Sequence, residues 1–319
     1  MKVVVIGGTG HVGTFLVPRL VMAGHEVISV SRQERAPYNV HPAWKSVKQV
    51  TIDRTEAEAK NTFGEQIRAL TPDAVIDLIC FTPESAKSLV ESLQGQIQHF
   101  IHCGTTWVHG HSEQVPTTED QNRNPICDYG RKKAAIESYL LSKAHKTGFP
   151  ATILHPGHIV GSGWAPVNPA GNFNIEVFEK LANGEELILP NFGMETVHHV
   201  HADDVAQGFM QALSNWNNAV GESFHIVSAQ AITLRGYAMA MAAWFGQEAN
   251  LKFLPWEEWK KTVSQKDALA TWDHIAHSPN CSIDKARRLL NYAPRYSSLQ
   301  AIQESVKYLF ENERSGLRG

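Results

Sequence analysis

The stretch that decides the fold is Val3-Val4-Val5-Ile6-Gly7-Gly8-Thr9-Gly10-His11-Val12-Gly13. Four consecutive β-branched residues read as a buried strand, and apolar residues at helical spacing follow over 13–23. In a strand–turn–helix unit of this kind Gly7 permits the tight turn and Gly10 lets the backbone approach a pyrophosphate. Gly13 allows the helix to pack closely on the strand. Backbone N–H groups along Thr9, His11 and Val12, at the positive end of the helix, are then placed to hold phosphate oxygens.

Working outward, apolar β-branched runs at 26–30, 47–52, 74–79, 98–103 and 151–154 read as further strands, with helical patterns at 63–70 and 83–93 between them. Such alternation predicts an α/β fold: a Rossmann-type doubly wound parallel sheet with right-handed crossovers. Residues 157–171, rich in glycine and proline, read as a loop. Beyond it come a helix at 175–182, a short apolar run at 187–189, a helix at 204–213 and a strand at 224–227. The expected division is a dinucleotide-binding domain at 1–160 and a smaller, mostly helical C-terminal substrate cap at 161–319, with 204–228 returning to the sheet.

The end of the second strand bears on which dinucleotide. An acidic residue about 20 positions after the last glycine suits the ribose 2′-hydroxyl of NAD. Here Ser31 and Arg32 stand there, with Arg35 nearby, and the reading finds no competing acid. A guanidinium can meet a 2′-phosphate in forked geometry, so NADP is expected over NAD. Asp53, after the third strand, is placed either to accept from the adenine amino group or to cap the next helix.

Two Tyr-x-x-x-Lys pairs occur, Tyr129/Lys133 and Tyr139/Lys143. Each pair shares a helix face, but ten residues at ~100° each turn the second pair about 80° away from the first. Only one pair can face the cleft. Tyr129 opens its helix, whereas Tyr139 lies mid-helix beside Leu140 and Leu141 and suits packing.

These features together resemble the extended short-chain dehydrogenase/reductase superfamily, in its NAD(P)-dependent sugar epimerase and dehydratase branch. The resemblance runs through Gly7/Gly10/Gly13, Cys103-Gly104-Thr105-Thr106, Tyr129/Lys133, His155-Pro156-Gly157 and Val200-His201-Ala202-Asp203-Asp204-Val205-Ala206. It implies Thr105 in the catalytic serine/threonine place, with Thr106 as substitute or substrate contact. Tyr129 would be the general acid/base, Lys133 the ligand of the nicotinamide ribose, and Pro156 and His158 further cofactor contacts. Tyrosine has an ordinary pKa near 10, so work near pH 7 asks for a shift worth ~4 kcal/mol. A lysine ammonium ~4 Å away at an effective dielectric of ~20 supplies about that much.

The chain departs from the branch at two places. No arginine stands in 194–199, where nucleotide-sugar members place a diphosphate ligand, and His155-Pro156-Gly157-His158 replaces Arg-Pro-x-Asn. A smaller sugar or sugar derivative needs no such clamp, although Arg123 and Arg287 are alternatives. His158, His198 and His199 are the candidate substrate contacts. The grouping of His198, His199 and His201 with Asp203 and Asp204 is read as structural, with no metal, Asp203 or Asp204 capping the helix there.

Composition sets the outer limits. The 29 basic and 32 acidic residues leave a formal charge of −3, which gives no general grip on nucleic acid. Four cysteines without a C-x-x-C pair suit a reducing cytoplasm. The longest apolar run, 238–245, is far short of the ~18 residues of a membrane span, and no signal peptide is read before the first strand. Partners are expected to be a small-molecule substrate and, in a homodimer, a second copy of the chain; neither nucleic acid nor membrane is expected. The expected activity is hydride transfer at a secondary alcohol or ketone of a sugar-like substrate, as an epimerase, dehydratase or reductase. The competing reading is a vestigial NADP-binding regulator or RNA-binding protein on the same scaffold.

Overall fold

The computed structural model describes residues 1–32, 34 and 36–314. The chain forms strands β1 (Lys2–Ile6), β2 (Glu26–Ser31), β3 (Lys48–Thr51), β4 (Ala74–Asp77), β5 (His99–Cys103), β6 (Ala151–Pro156), β7 (His158–Val160), β8 (Leu187–Pro190), β9 (Thr196–Val197), β10 (His199–His201), β11 (Ser223–Ile226), β12 (Ile232–Thr233) and β13 (Leu251–Leu254). Seven of them make one sheet in the order β11-β6-β5-β4-β1-β2-β3, and every pairing in it is parallel. Val3, Val4 and Val5 have no exposed surface, because helices cover both faces; an unbroken apolar strand is what that burial requires.

The strand order reverses beside β1: β2 lies on one side and β4 on the other, with Ile6 level with both Val30 and Asp77. Such a switch point leaves a crevice at the carboxyl ends of the strands. The expected strand at 74–79 stops at Asp77, and Leu78 and Ile79 leave the sheet to line that crevice. The helix Gly13–Met22 packs on Ala202–Ser214, a stretch from the second half of the chain that also packs on β5, β6 and β11.

A separate core gathers in the cap around Phe178, Leu189, Tyr237, Met241 and Trp259. Helices Glu176–Asn183, Leu234–Trp244, Gln265–His277 and Ser298–Arg314 supply most of it, with β8 paired to β13 and β9 to β12.

Two expectations change. The loop at 157–171 contains β7, which pairs with β10 about 40 residues later; a three-residue strand has too few positions to show alternation. The helix at Ala202 is capped by neither aspartate. His201 caps it, its Nδ1 accepting from Asp203 N at 3.0 Å. Asp203 is committed instead to Arg19, at 2.7 and 2.8 Å, and to Arg295. Asp204 accepts from the backbone of Arg295 and Tyr296. Among the described residues no helix is long and apolar enough to cross a membrane.

Candidate active site

Two adjoining cavities follow the crevice, one of about 740 Å³ and one of about 540 Å³, sharing Gly7, Gly10, Ile79 and Phe81. The glycine turn lies between them. Gly7 has φ +86°, a conformation that disfavours any side chain. A Cβ on Gly13 would stand 2.2 Å from the carbonyl oxygen of Gly8, so the first helical turn sits directly on the loop's own backbone. Val12 stands at the N-cap position there, without a side-chain cap bond, and Thr9 and His11 complete the turn. A turn of this shape fits a pyrophosphate, and these residues fit a dinucleotide. His11 is buried between Tyr38, whose hydroxyl bonds its Nδ1, and the face of Trp164 at 4.7 Å. Burial, with His201 adding, lowers its pKa to about 3.

Ser31, Arg32 and Asp53 line the 740 Å³ cavity, as anticipated, while Arg35 lies outside the described residues. The expectation of no competing acid is corrected. Glu34 lines the same cavity, and its carboxylate holds Arg32 Nη2 at 2.9 Å, both side chains being largely exposed. Of the two roles open to Asp53, the cap is visible: its Oδ1 accepts from Glu56 N at 3.0 Å. Arg54, next to it, is buried against Asp77 at 2.8 Å and Glu58 at 2.6 Å.

The 540 Å³ cavity brings together Thr105, Thr106, Tyr129, Lys133, Pro156 and His158. Thr105 follows β5 in extended conformation, its Oγ1 accepting from Trp107 N at 3.3 Å. Tyr129 and Lys133 lie four residues apart on the helix Asp128–Thr147 and share its cleft-facing side. Tyr139 instead packs against the core with Lys143 Nζ 5.7 Å from its ring centre, and neither lines the cavity.

The electrostatics correct the simple lysine argument. Lys133 is only 2% exposed, and its Nζ donates to the carbonyls of Cys80 at 2.8 Å and Cys103 at 2.6 Å. Burial lowers its pKa. It stands 5.9 Å from the centre of the Tyr129 ring. Burial of the phenol, and then Cys103, push Tyr129 above its usual value, with the Thr105 hydroxyl pulling the other way.

Beneath these residues lies a relay the sequence reading missed. Thr105 N donates to His155 Nδ1 at 3.0 Å, so His155 carries its proton on Nε2 and donates to Glu137 Oε1, also at 3.0 Å. Arg123 grips Glu137 with two bonds, at 2.7 and 3.1 Å. Burial alone would raise the Glu137 carboxyl, but His155 and Arg123 hold it well below the carboxylate range. One signal was present: Glu137 falls four residues after Lys133, on the same helix face. The far wall, Trp107, Phe173, Asp273 and His274, carried none, since it comes from separate segments.

Of the three proposed substrate histidines, the structure brings one to the cavity. His158 lines it, its ring tilted against Phe173 at 5.5 Å. His198 and His199 are fully buried and do not, each Nε2 bonding a carbonyl, of Ser228 and Val167 respectively. His199 instead backs His158, ring to ring at 5.2 Å. His201 turns to Glu304 at 3.1 Å.

A seven-stranded parallel sheet with a glycine-turn crevice, ending at a threonine and a Tyr-x-x-x-Lys helix, defines a Rossmann-type protein of the extended short-chain dehydrogenase kind. The chain belongs to the NAD dependent epimerase/dehydratase family, whose model matches residues 3–226. It is 25% identical over 278 residues to 2′-dehydrokanamycin reductase of Streptomyces kanamyceticus, spanning 86% of this chain and 76% of that protein. It is 24% identical to the chloroplast stem-loop binding protein of 41 kDa b of Arabidopsis thaliana, over 97% of this chain and 79% of the other. In fold it is similar to the UDP-glucose 4-epimerase of Thermotoga maritima, solved with UDP-glucose, at a TM-score of 0.74 and 21% identity, covering 98% of this chain and all of that one.

Proposed function

We propose that this protein transfers hydride between NADP(H) and a secondary alcohol or ketone of a sugar or sugar-like substrate, residues 1–160 holding the cofactor and 161–319 capping the substrate, with 204–228 returning to the sheet. The observation that carries the reading is the convergence of Thr105, Tyr129 and Lys133 on one cavity that opens onto the glycine cradle. The nicotinamide, when bound, supplies the hydride donor or acceptor. Thr105 holds the substrate oxygen by its hydroxyl, and Tyr129 passes a proton to or from that oxygen. Lys133 positions the cofactor ribose. The relay through His155, Glu137 and Arg123 fixes the backbone of Thr105, so its hydroxyl does not drift from the phenol. Arg32, released from Glu34, takes the 2′-phosphate and favours NADP.

The sugar epimerases and reductases among the relatives support this reading. The vestigial reading, of a binding protein like the chloroplast relative, is less well supported. Intact catalytic side chains share one cavity, and the formal charge is −3. The test is absorbance at 340 nm with NADP(H), NAD(H) and a panel of sugars and keto-sugars. Net change in reduced cofactor identifies a reductase or dehydrogenase; substrate conversion without it identifies an epimerase or dehydratase. Cofactor binding with no conversion by either readout across the panel supports the vestigial reading.

A further inference from the structure

Resting on the hydride-transfer reading, we infer that the substrate end of the cleft is built for a non-anionic carbohydrate ring, bearing neither phosphate nor a nucleoside diphosphate. Among the described residues lining the 540 Å³ cavity, Lys133 is the one lysine or arginine. Its ammonium is already shared between two carbonyls at the cavity floor. The carboxylate in the same lining is Asp273, on the exposed outer side of the helix Gln265–His277. A diphosphate entering here meets a negative charge and no free cation.

Arg123 and Arg287, the two arginines that sequence offered for a clamp, do not line this cavity, and neither do Arg295 and Lys285. Arg123 is bound to Glu137 and to the carbonyls of Glu119 and Gln121. Arg287 pairs with Asp284, Arg295 with Asp203, and Lys285 with Glu222. The wall histidines do not substitute for them: burial keeps His158 and His274 neutral, both shifted below the usual histidine value.

What the wall does present is aromatic. Trp107 is fixed by stacking on His277 at 4.1 Å and stands edge-on to Tyr129 at 6.1 Å. Phe173, 46% exposed, closes against His158 and His274, each at 5.5 Å. The C–H face of a sugar ring is apolar and packs on such surfaces, while its hydroxyls reach the polar groups of Thr105 and Thr106.

The test is calorimetric titration of the NADP-loaded full chain with five probes: D-glucose, methyl β-D-glucopyranoside, D-glucosamine, glucose 6-phosphate and UDP-glucose. At least one of the first three is expected to bind about tenfold or more tighter than both anionic probes. In Asp273→Lys that preference should shrink or reverse for the anions. Equal or tighter binding of UDP-glucose or glucose 6-phosphate to the unaltered protein overturns the inference. Binding of none of the five overturns the carbohydrate class while leaving hydride transfer standing. Failure of NADP to load is a failure of the hydride-transfer reading instead, and the sugar titration of the unloaded chain still decides the charge preference.

Discussion

The two ends of the crevice are built on opposite principles. At the nucleotide end the work is done by backbone: Gly7 with φ +86° and Gly13 seated on the carbonyl of Gly8 make a shape that few residue types tolerate. At the substrate end it is done by side chains from five separate stretches, among which His158 and His274 are shifted by burial below the usual histidine value. A ligand held by backbone constrains local sequence, whereas one held by converging side chains constrains only the tertiary structure. The proposed nucleotide end is therefore fixed by local sequence, and the proposed substrate end by the fold as a whole.

The largest expected effect is acid sensitivity, and it comes from histidines buried throughout the fold rather than from one end of the crevice. Burial lowers His99, His109 and His198 to about 4 and His199 to about 3. The folded state then binds fewer protons than the unfolded one wherever pH lies below 6.5. Stability is full above that value and falls as pH drops toward 4, by about 1.4 kcal/mol per pH unit for each such histidine. Urea unfolding from pH 7.5 to 4.5 should show a steep loss, corresponding to several protons. A flat profile would mean that these buried histidines are not neutral in the folded protein.

Next in size is Tyr129→Phe, expected to lower turnover by ~10³-fold, within the usual range for a lost general acid/base, with NADPH affinity changed less than about twofold. Tyr139→Phe should leave both unchanged, and the reverse pattern would assign catalysis to the wrong pair. Glu137→Gln should cost about 2 kcal/mol of stability, because it leaves the half-buried Arg123 without its carboxylate; a change below about 1 kcal/mol would remove the relay from the account. Gly13→Ala should cost about 2 kcal/mol and weaken both dinucleotides, since its methyl group meets Gly8. Smallest, Arg32→Ala should raise KM for NADPH about tenfold and leave NADH unaffected. An equal effect on both cofactors would refute the 2′-phosphate role.

The same division explains what was legible beforehand. Strand β1, the glycine turn and the placement of Tyr129 rather than Tyr139 at the cleft could be read because each depends on spacing within one element. The cap of the helix at Ala202 could not. Aspartate is favoured at such a position, yet Asp203 is drawn away by Arg19, 184 residues earlier in sequence, and His201 fills the role. His198 and His199 looked like site residues from their neighbourhood, but the parallel pairing of β7 with β10 directs them into the interior. Glu34 was within reach of the sequence, two residues beyond Arg32, and was overlooked. The aromatic wall required the fold itself, since Trp107 and His274 meet across 167 positions, 5.4 Å apart.

The central claim is that the glycine cradle and the Tyr129 cavity form one dinucleotide cleft. It is tested most directly by titrating NADPH and NADH into the folded protein, exciting tryptophan and recording energy transfer to the bound nicotinamide from Trp107 and Trp164, which line that cavity. The account predicts saturable binding of one NADPH per chain, with sensitised emission retained in Tyr129→Phe and weakened in Gly13→Ala. A folded protein that binds neither dinucleotide would contradict it.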